Sequence, residues 1–133
     1  MNYLLLLATI TFCMEAPILN VEITGIKNIQ GSIMVAVYDS GEEFLGQNAV
    51  ATAIFEVTGK TVRGELEIPY GTYGISVFHD LDSNGELNTN FLGIPKEPIG
   101  FSNNSKVTFG PPSFKAASFD FSQDKQTIKI EIH

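Results

Sequence analysis

The stretch Val62-Arg63-Gly64-Glu65-Leu66-Glu67-Ile68-Pro69-Tyr70-Gly71-Thr72-Tyr73-Gly74-Ile75-Ser76-Val77-Phe78-His79-Asp80 decides the fold class. Val62, Gly64, Leu66 and Ile68 fall on one side, and Arg63, Glu65 and Glu67 on the other. A period of two is the mark of a half-buried strand. Pro69-Tyr70-Gly71 then supplies a tight turn. Beyond it Tyr73, Ile75, Val77 and His79 share one face, with Ser76, Phe78 and Asp80 on the other. The same period runs through Leu19 to Ile23, Ile33 to Val37, Ala49 to Val57, Ala117 to Phe121 and Ile128 to Ile132. Thr58-Gly59-Lys60 reads as a hairpin turn between the third and fourth runs. No stretch sustains a helical period. Turn signals recur roughly every eight to twelve residues, which favours an all-β chain: an antiparallel β-sandwich of about seven strands.

The meander breaks once. Between Asp80 and Ser113 there is no periodicity and many turn formers. A loop longer than about 15 residues in a compact domain is usually functional or disordered. Phe91, Leu92, Ile94, Ile99, Phe101, Val107 and Phe109 make this one too apolar for a disordered linker. It is expected as an ordered loop between strands five and six, with Phe91, Phe101 and Phe109 anchored in the open end of the sandwich. Prolines at 95, 98, 111 and 112 restrict it further. Such a loop suits ligand recognition, or serves as a plug over the core.

Composition excludes several classes. Eight Lys and Arg against fifteen Asp and Glu leave a net charge of −7. An acidic surface without a basic stripe does not bind nucleic acid, and an anionic membrane surface is disfavoured for the same reason. The single Cys13 allows neither an internal disulfide nor a thiolate metal cage. Tyr3 to Met14 is an apolar run of twelve residues, too short for a membrane span of about 20. Its length suits the apolar part of a secretory signal, although no Lys or Arg precedes it and Ala16 lacks a small residue two places before it. Residues 1–16 are therefore read as a signal peptide or apolar N-terminal segment, and 17–133 as one domain.

The loop opens with Asp80-Leu81-Asp82-Ser83-Asn84-Gly85-Glu86-Leu87-Asn88, a D-x-D-x-N-G sequence. This is the first half of a calcium loop of the EF-hand type. Oxygens at positions one, three and five converge on a hard cation, and glycine at six permits the sharp turn. Glu86 would then offer its backbone carbonyl, and Asn88 an amide oxygen directly or through water. Position twelve, where a bidentate glutamate is required, is Phe91. The missing ligand must come from elsewhere in the loop. The alternative is that Asp80, Asp82 and Asn84 only bend the chain, bonding nearby backbone amides.

Catalytic signatures are few. G-x-S-x-G, H-E-x-x-H and a glycine-rich phosphate loop do not occur. His79 and Asp80 are neighbours on a strand and point to opposite faces. His79 is expected as a hydrogen-bonded histidine at the sandwich edge.

The block Val77-Phe78-His79-Asp80, Asp82-x-Asn84-Gly85-x-Leu87, Thr89-Asn90-Phe91-Leu92-Gly93-Ile94-Pro95-Lys96-Glu97-Pro98 and Gly100-Phe101-Ser102-Asn103-Asn104 resembles the bacterial DUF2141 family. Phe109-Gly110-Pro111-Pro112-Ser113-Phe114 resembles its second hallmark. Ile68-Pro69-Tyr70-Gly71-Thr72-Tyr73 resembles its strand-turn-strand segment, and similar hairpins in transthyretin-like sandwiches. The resemblance spans roughly Leu19 to the C-terminus. It implies a small secreted or periplasmic β-sandwich, immunoglobulin-like or transthyretin-like, without an assigned activity. The expectation is an exported, non-enzymatic binding or accessory domain. It would be monomeric, with a weak Ca2+ site at Asp80, Asp82, Asn84, Glu86 and Asn88 and an envelope protein or glycan as partner. The alternatives are an envelope-associated hydrolase using His79 and the 80–112 loop, and a structural module docking through an exposed strand edge.

Overall fold

The computed structural model describes residues 15–133; the apolar run Tyr3 to Met14 lies outside the described residues. The described chain is an all-β sandwich of two sheets. Strands β1 (Ile18–Thr24), β4 (Val62–Glu67) and β8 (Thr127–Glu131) form a three-stranded sheet in the order β4-β1-β8. Strands β2 (Ser32–Tyr38), β3 (Ala51–Glu56), β5 (Gly71–Asp80) and β6 (Ile99–Phe101) form the second in the order β3-β2-β5-β6. Strand β7 (Phe119–Phe121) also pairs with β5.

The seven alternating runs all reappear, with an eighth strand added. Strand β6 lies inside the segment expected as an unbroken loop, and at three residues it is too short to display a period. The last run but one is divided. Phe114–Ala117 is a helical turn, α1, whose Ser113 hydroxyl accepts from the Ala116 N–H at 3.1 Å, and only Phe119–Phe121 is strand. The sheets are antiparallel except that β1 and β8 run parallel.

The two tight turns join strands of different sheets. Strand β3 pairs with β2 and β4 with β1, so Thr58-Gly59-Lys60 is a corner between layers and not a hairpin. Pro69-Tyr70-Gly71 carries β4 across to β5 in the same way. Packing explains the first corner: the Phe55 ring of β3 lies where a side chain at Gly64 of β4 would stand.

The core follows the period of two. Leu19, Val21 and Ile23 of β1 face Ile33, Val35 and Val37 of β2 and Tyr73, Ile75 and Val77 of β5, with Val62, Leu66, Ile130 and Phe121 closing the layer. Burying each such side chain contributes about 1.5–3 kcal/mol. Strand β5 is the axis of its sheet. One edge pairs along its length with β2, and the other is shared end to end by β7, at Gly71 to Tyr73, and β6, at Ser76 to Phe78. The sheets also join at one side: Ile99 and His133 exchange backbone hydrogen bonds of 3.1 and 2.9 Å.

Residues 101–104 tie the long segment down. Phe101 is buried, and the Ser102 hydroxyl accepts from the Ile75 N–H at 2.9 Å while donating to the Ala117 carbonyl. The Asn103 amide donates to the carbonyls of Ala116 and Ser118 at 3.1 and 2.6 Å, and Asn104 Oδ1 accepts from the Glu131 N–H at 2.9 Å. Of the three phenylalanines expected as anchors, only Phe101 is one. Phe91 is 96% and Phe109 105% exposed. Phe91 sits on a turn closed by the Gly93 N–H donating to the Asn90 carbonyl and by a Thr89–Pro95 bridge, which turns its ring outward.

Replacing Ser102 by Ala strands a buried N–H on Ile75 and a buried carbonyl on Ala117. The expected loss is about 1–3 kcal/mol of stability, read as a lower urea midpoint with an unchanged slope.

Candidate metal centre

Strand β5 ends by delivering two buried polar side chains, His79 and Asp80, 1% and 2% exposed. His79 is oriented inward beside the core, and its Nε2 lies 2.6 Å from the Gln30 carbonyl. It is the hydrogen-bonded histidine expected, but on an interior strand and not at the sandwich edge. Asp80 points the other way and is covered by the loop that follows it. Gly31, at φ +67°, lets β2 begin beneath this point: a Cβ there would overlap the Asp80 carbonyl oxygen.

The D-x-D-x-N-G segment folds back on Asp80. Its Oδ1 accepts from the Asn84 N–H at 3.2 Å and its Oδ2 from the Gly85 N–H at 2.8 Å. Asp82 Oδ1 accepts from the same Asn84 N–H at 3.3 Å, and Asn84 Oδ1 accepts from the Glu86 N–H at 2.9 Å. Gly85 has φ +79°, the left-handed conformation required at position six. These are the backbone-bonding turns of the alternative reading. They also bring the carboxylates of Asp80 and Asp82 together at the Asn84 N–H.

A third carboxylate, Glu97, joins Asp80 and Asp82 from outside the motif. It is 5% exposed, its Oε2 accepts from the Leu81 N–H at 2.7 Å, and its Oε1 from the Asn88 N–H at 2.9 Å. Carboxylate oxygens of Asp80, Asp82 and Glu97 lie within 4.8 Å of one another. Glu97 stands seventeen places after Asp80 and six after Phe91, and is returned by the turn at Asn90 to Gly93. Sequence spacing could not find it, because no fixed interval leads there. One signal was present: Glu97 is the single acid between Glu86 and Asp120.

Of the other expected ligands, Asn84 and Asn88 join the cluster. The Asn84 amide donates to Asn88 Oδ1 at 2.8 Å, and the Asn88 amide to Asp82 Oδ2 at 2.7 Å. The donation from Asn88 holds the Asp82 carboxyl below the usual carboxylate value, outweighing the opposing effect of desolvation. The Glu86 side chain is exposed and outside the cluster. Three carboxylates and two amide side chains are hard oxygen donors, the set preferred by Ca2+ and unsuited to softer metals.

Among the described residues no helix is long and apolar enough to cross a membrane. No curated protein and no solved structure matches the chain. The family profile described as "Uncharacterized protein conserved in bacteria (DUF2141)" matches residues 21–129. That span takes in part or all of every strand and the whole acidic loop, and the chain belongs to the DUF2141 family.

Proposed function

We propose that this protein is an exported, non-enzymatic accessory domain whose 80–97 loop is locked by a single Ca2+ ion. The observation that carries the reading is Glu97, a buried carboxylate returned to within 4.8 Å of Asp80 and Asp82. Asp80, Asp82 and Glu97 would supply the charged oxygens, with Asn84, Asn88 and the Glu86 carbonyl completing the shell. Ca2+ takes six to eight oxygens in flexible geometry, and modules working outside the cell bind it at about 10⁻⁴–10⁻³ M. Weak affinity fits a set in which two side chains are uncharged amides. Export is supported by the apolar run Tyr3 to Met14, and a calcium-rich exterior would keep such a site filled. An envelope protein or glycan is the partner this placement suggests.

With calcium about tenfold above its dissociation constant, linkage adds about 1.4 kcal/mol, a rise of about 3–6 °C in Tm. Asp82→Ala, at an exposed position, abolishes the rise, and so does Glu97→Gln. An unchanged Tm at millimolar calcium would sink the proposal.

The Asp82 carboxyl titrates below its ordinary value of 3.8 because Asn88 donates to its ionised form. A depressed folded-state pKa adds stability above the unfolded value, and that contribution disappears as pH falls through the folded value. In calcium-free protein the 13C resonance of the Asp82 carboxyl is expected to titrate below 3.8. In Asn88→Ala its midpoint moves up toward the ordinary value; an unmoved midpoint refutes the assignment to Asn88.

A further inference from the structure

The outward side of the five-stranded sheet is apolar, where a sandwich normally presents polar residues to water. Its central row is Ile54, Met34, Phe78 and Ile99, aligned by the register of β3, β2, β5 and β6. The next row is Thr52, Ala36 and Ser76. Two arms of the long segment rise over this floor, one carrying Leu92 and Ile94, the other Val107 and Phe109. Together they enclose a cleft of about 1020 Å³. That is at the upper end of ordinary small-molecule sites, about 300–1,000 Å³.

We infer that this cleft binds an uncharged single-chain lipid, a hydrocarbon tail with a hydroxyl- or ester-bearing head. In a protein of net charge −7, not one charged side chain among the described residues lines it. A carboxylate or phosphate head would therefore be desolvated without a partner. The row Ile54, Met34, Phe78 and Ile99 suits the tail. The hydroxyls of Thr52 and Ser76 lie beside Tyr38, whose own hydroxyl donates to the Gly46 carbonyl at 3.0 Å, and mark the polar end. A peptide fits less well. The middle of the floor is interior β2 and β5, whose backbone groups are engaged by neighbouring strands on both sides, and strand addition could use only the outer edge of β3, at the margin of the cleft. Among the lining residues Leu92 and Phe109 are exposed, giving an apolar lip through which a lipid chain can pass.

The test uses the full chain, delipidated, with N-phenyl-1-naphthylamine as a neutral fluorescent probe, in EDTA and again in calcium. Saturable binding is expected under both conditions, which separates this site from the cation site. Monoolein displaces the probe, and oleate does so at least about tenfold less well, a difference of about 1.4 kcal/mol. Ile54→Glu, at a position 65% exposed, places a charge on the floor without disturbing the core. It is expected to weaken the probe about tenfold at unchanged Tm. Non-saturable binding, equal displacement by oleate, or unaltered affinity in Ile54→Glu overturns the inference. So does a dimer in sedimentation that excludes the probe and is split by Ile54→Glu, since the cleft would then belong to a second copy of the chain.

Discussion

Two buried carboxylates organise the long segment. Asp80 and Glu97 are nearly removed from water, and an ionised carboxylate there is costly unless hydrogen-bond donors surround it. The chain provides them from its own backbone. The N–H groups of Asn84 and Gly85 serve Asp80, and those of Leu81 and Asn88 serve Glu97. Each bond closes a loop between a side chain and a nearby or returning strand of backbone. Residues 80–97 therefore hold one shape without a hydrophobic core beneath them.

Strand β5 links everything that matters. Its inward residues Tyr73, Ile75 and Val77 belong to the core, and its outward Ser76 and Phe78 form part of the cleft floor. Its last residue, Asp80, opens the acidic loop. One ten-residue strand thus serves stability and both candidate sites by the alternation of side chains alone. Gly31 is the counterpart on β2, allowing the close approach that buries the start of the loop.

The strands were legible because burial on one side imposes a period of two, and each run from Leu19 to Ile132 carried it. Which strands share a sheet was not legible. Pro69-Tyr70-Gly71 has the chemistry of a hairpin turn, yet it also serves as a corner, and the choice is made by Val62 to Glu67 pairing with β1 instead of β5. Within the site, Asp80, Asp82, Asn84 and Asn88 were readable because their spacing is local. Glu97 depends on a tertiary return that no local pattern encodes. Phe91 misled for a related reason: apolar character states a cost of exposure, while the turn geometry around Asn90 and Gly93 decides where its ring points.

The parallel pairing of β1 with β8 sets Asn20 beside Thr127. Ile23 of β1 and Ile130 of β8 are both fully buried, so neither side of that contact is satisfied until almost the entire domain is present. Non-local pairing of this kind makes folding slow, because loop closure comes before the contacts that reward it. A nascent chain so constructed keeps one edge of β1 unpaired for as long as β8 is still being made. During that interval the unpaired edge of β1 is a template on which another extended chain can add. Closure of the three-stranded sheet by β8 removes that template.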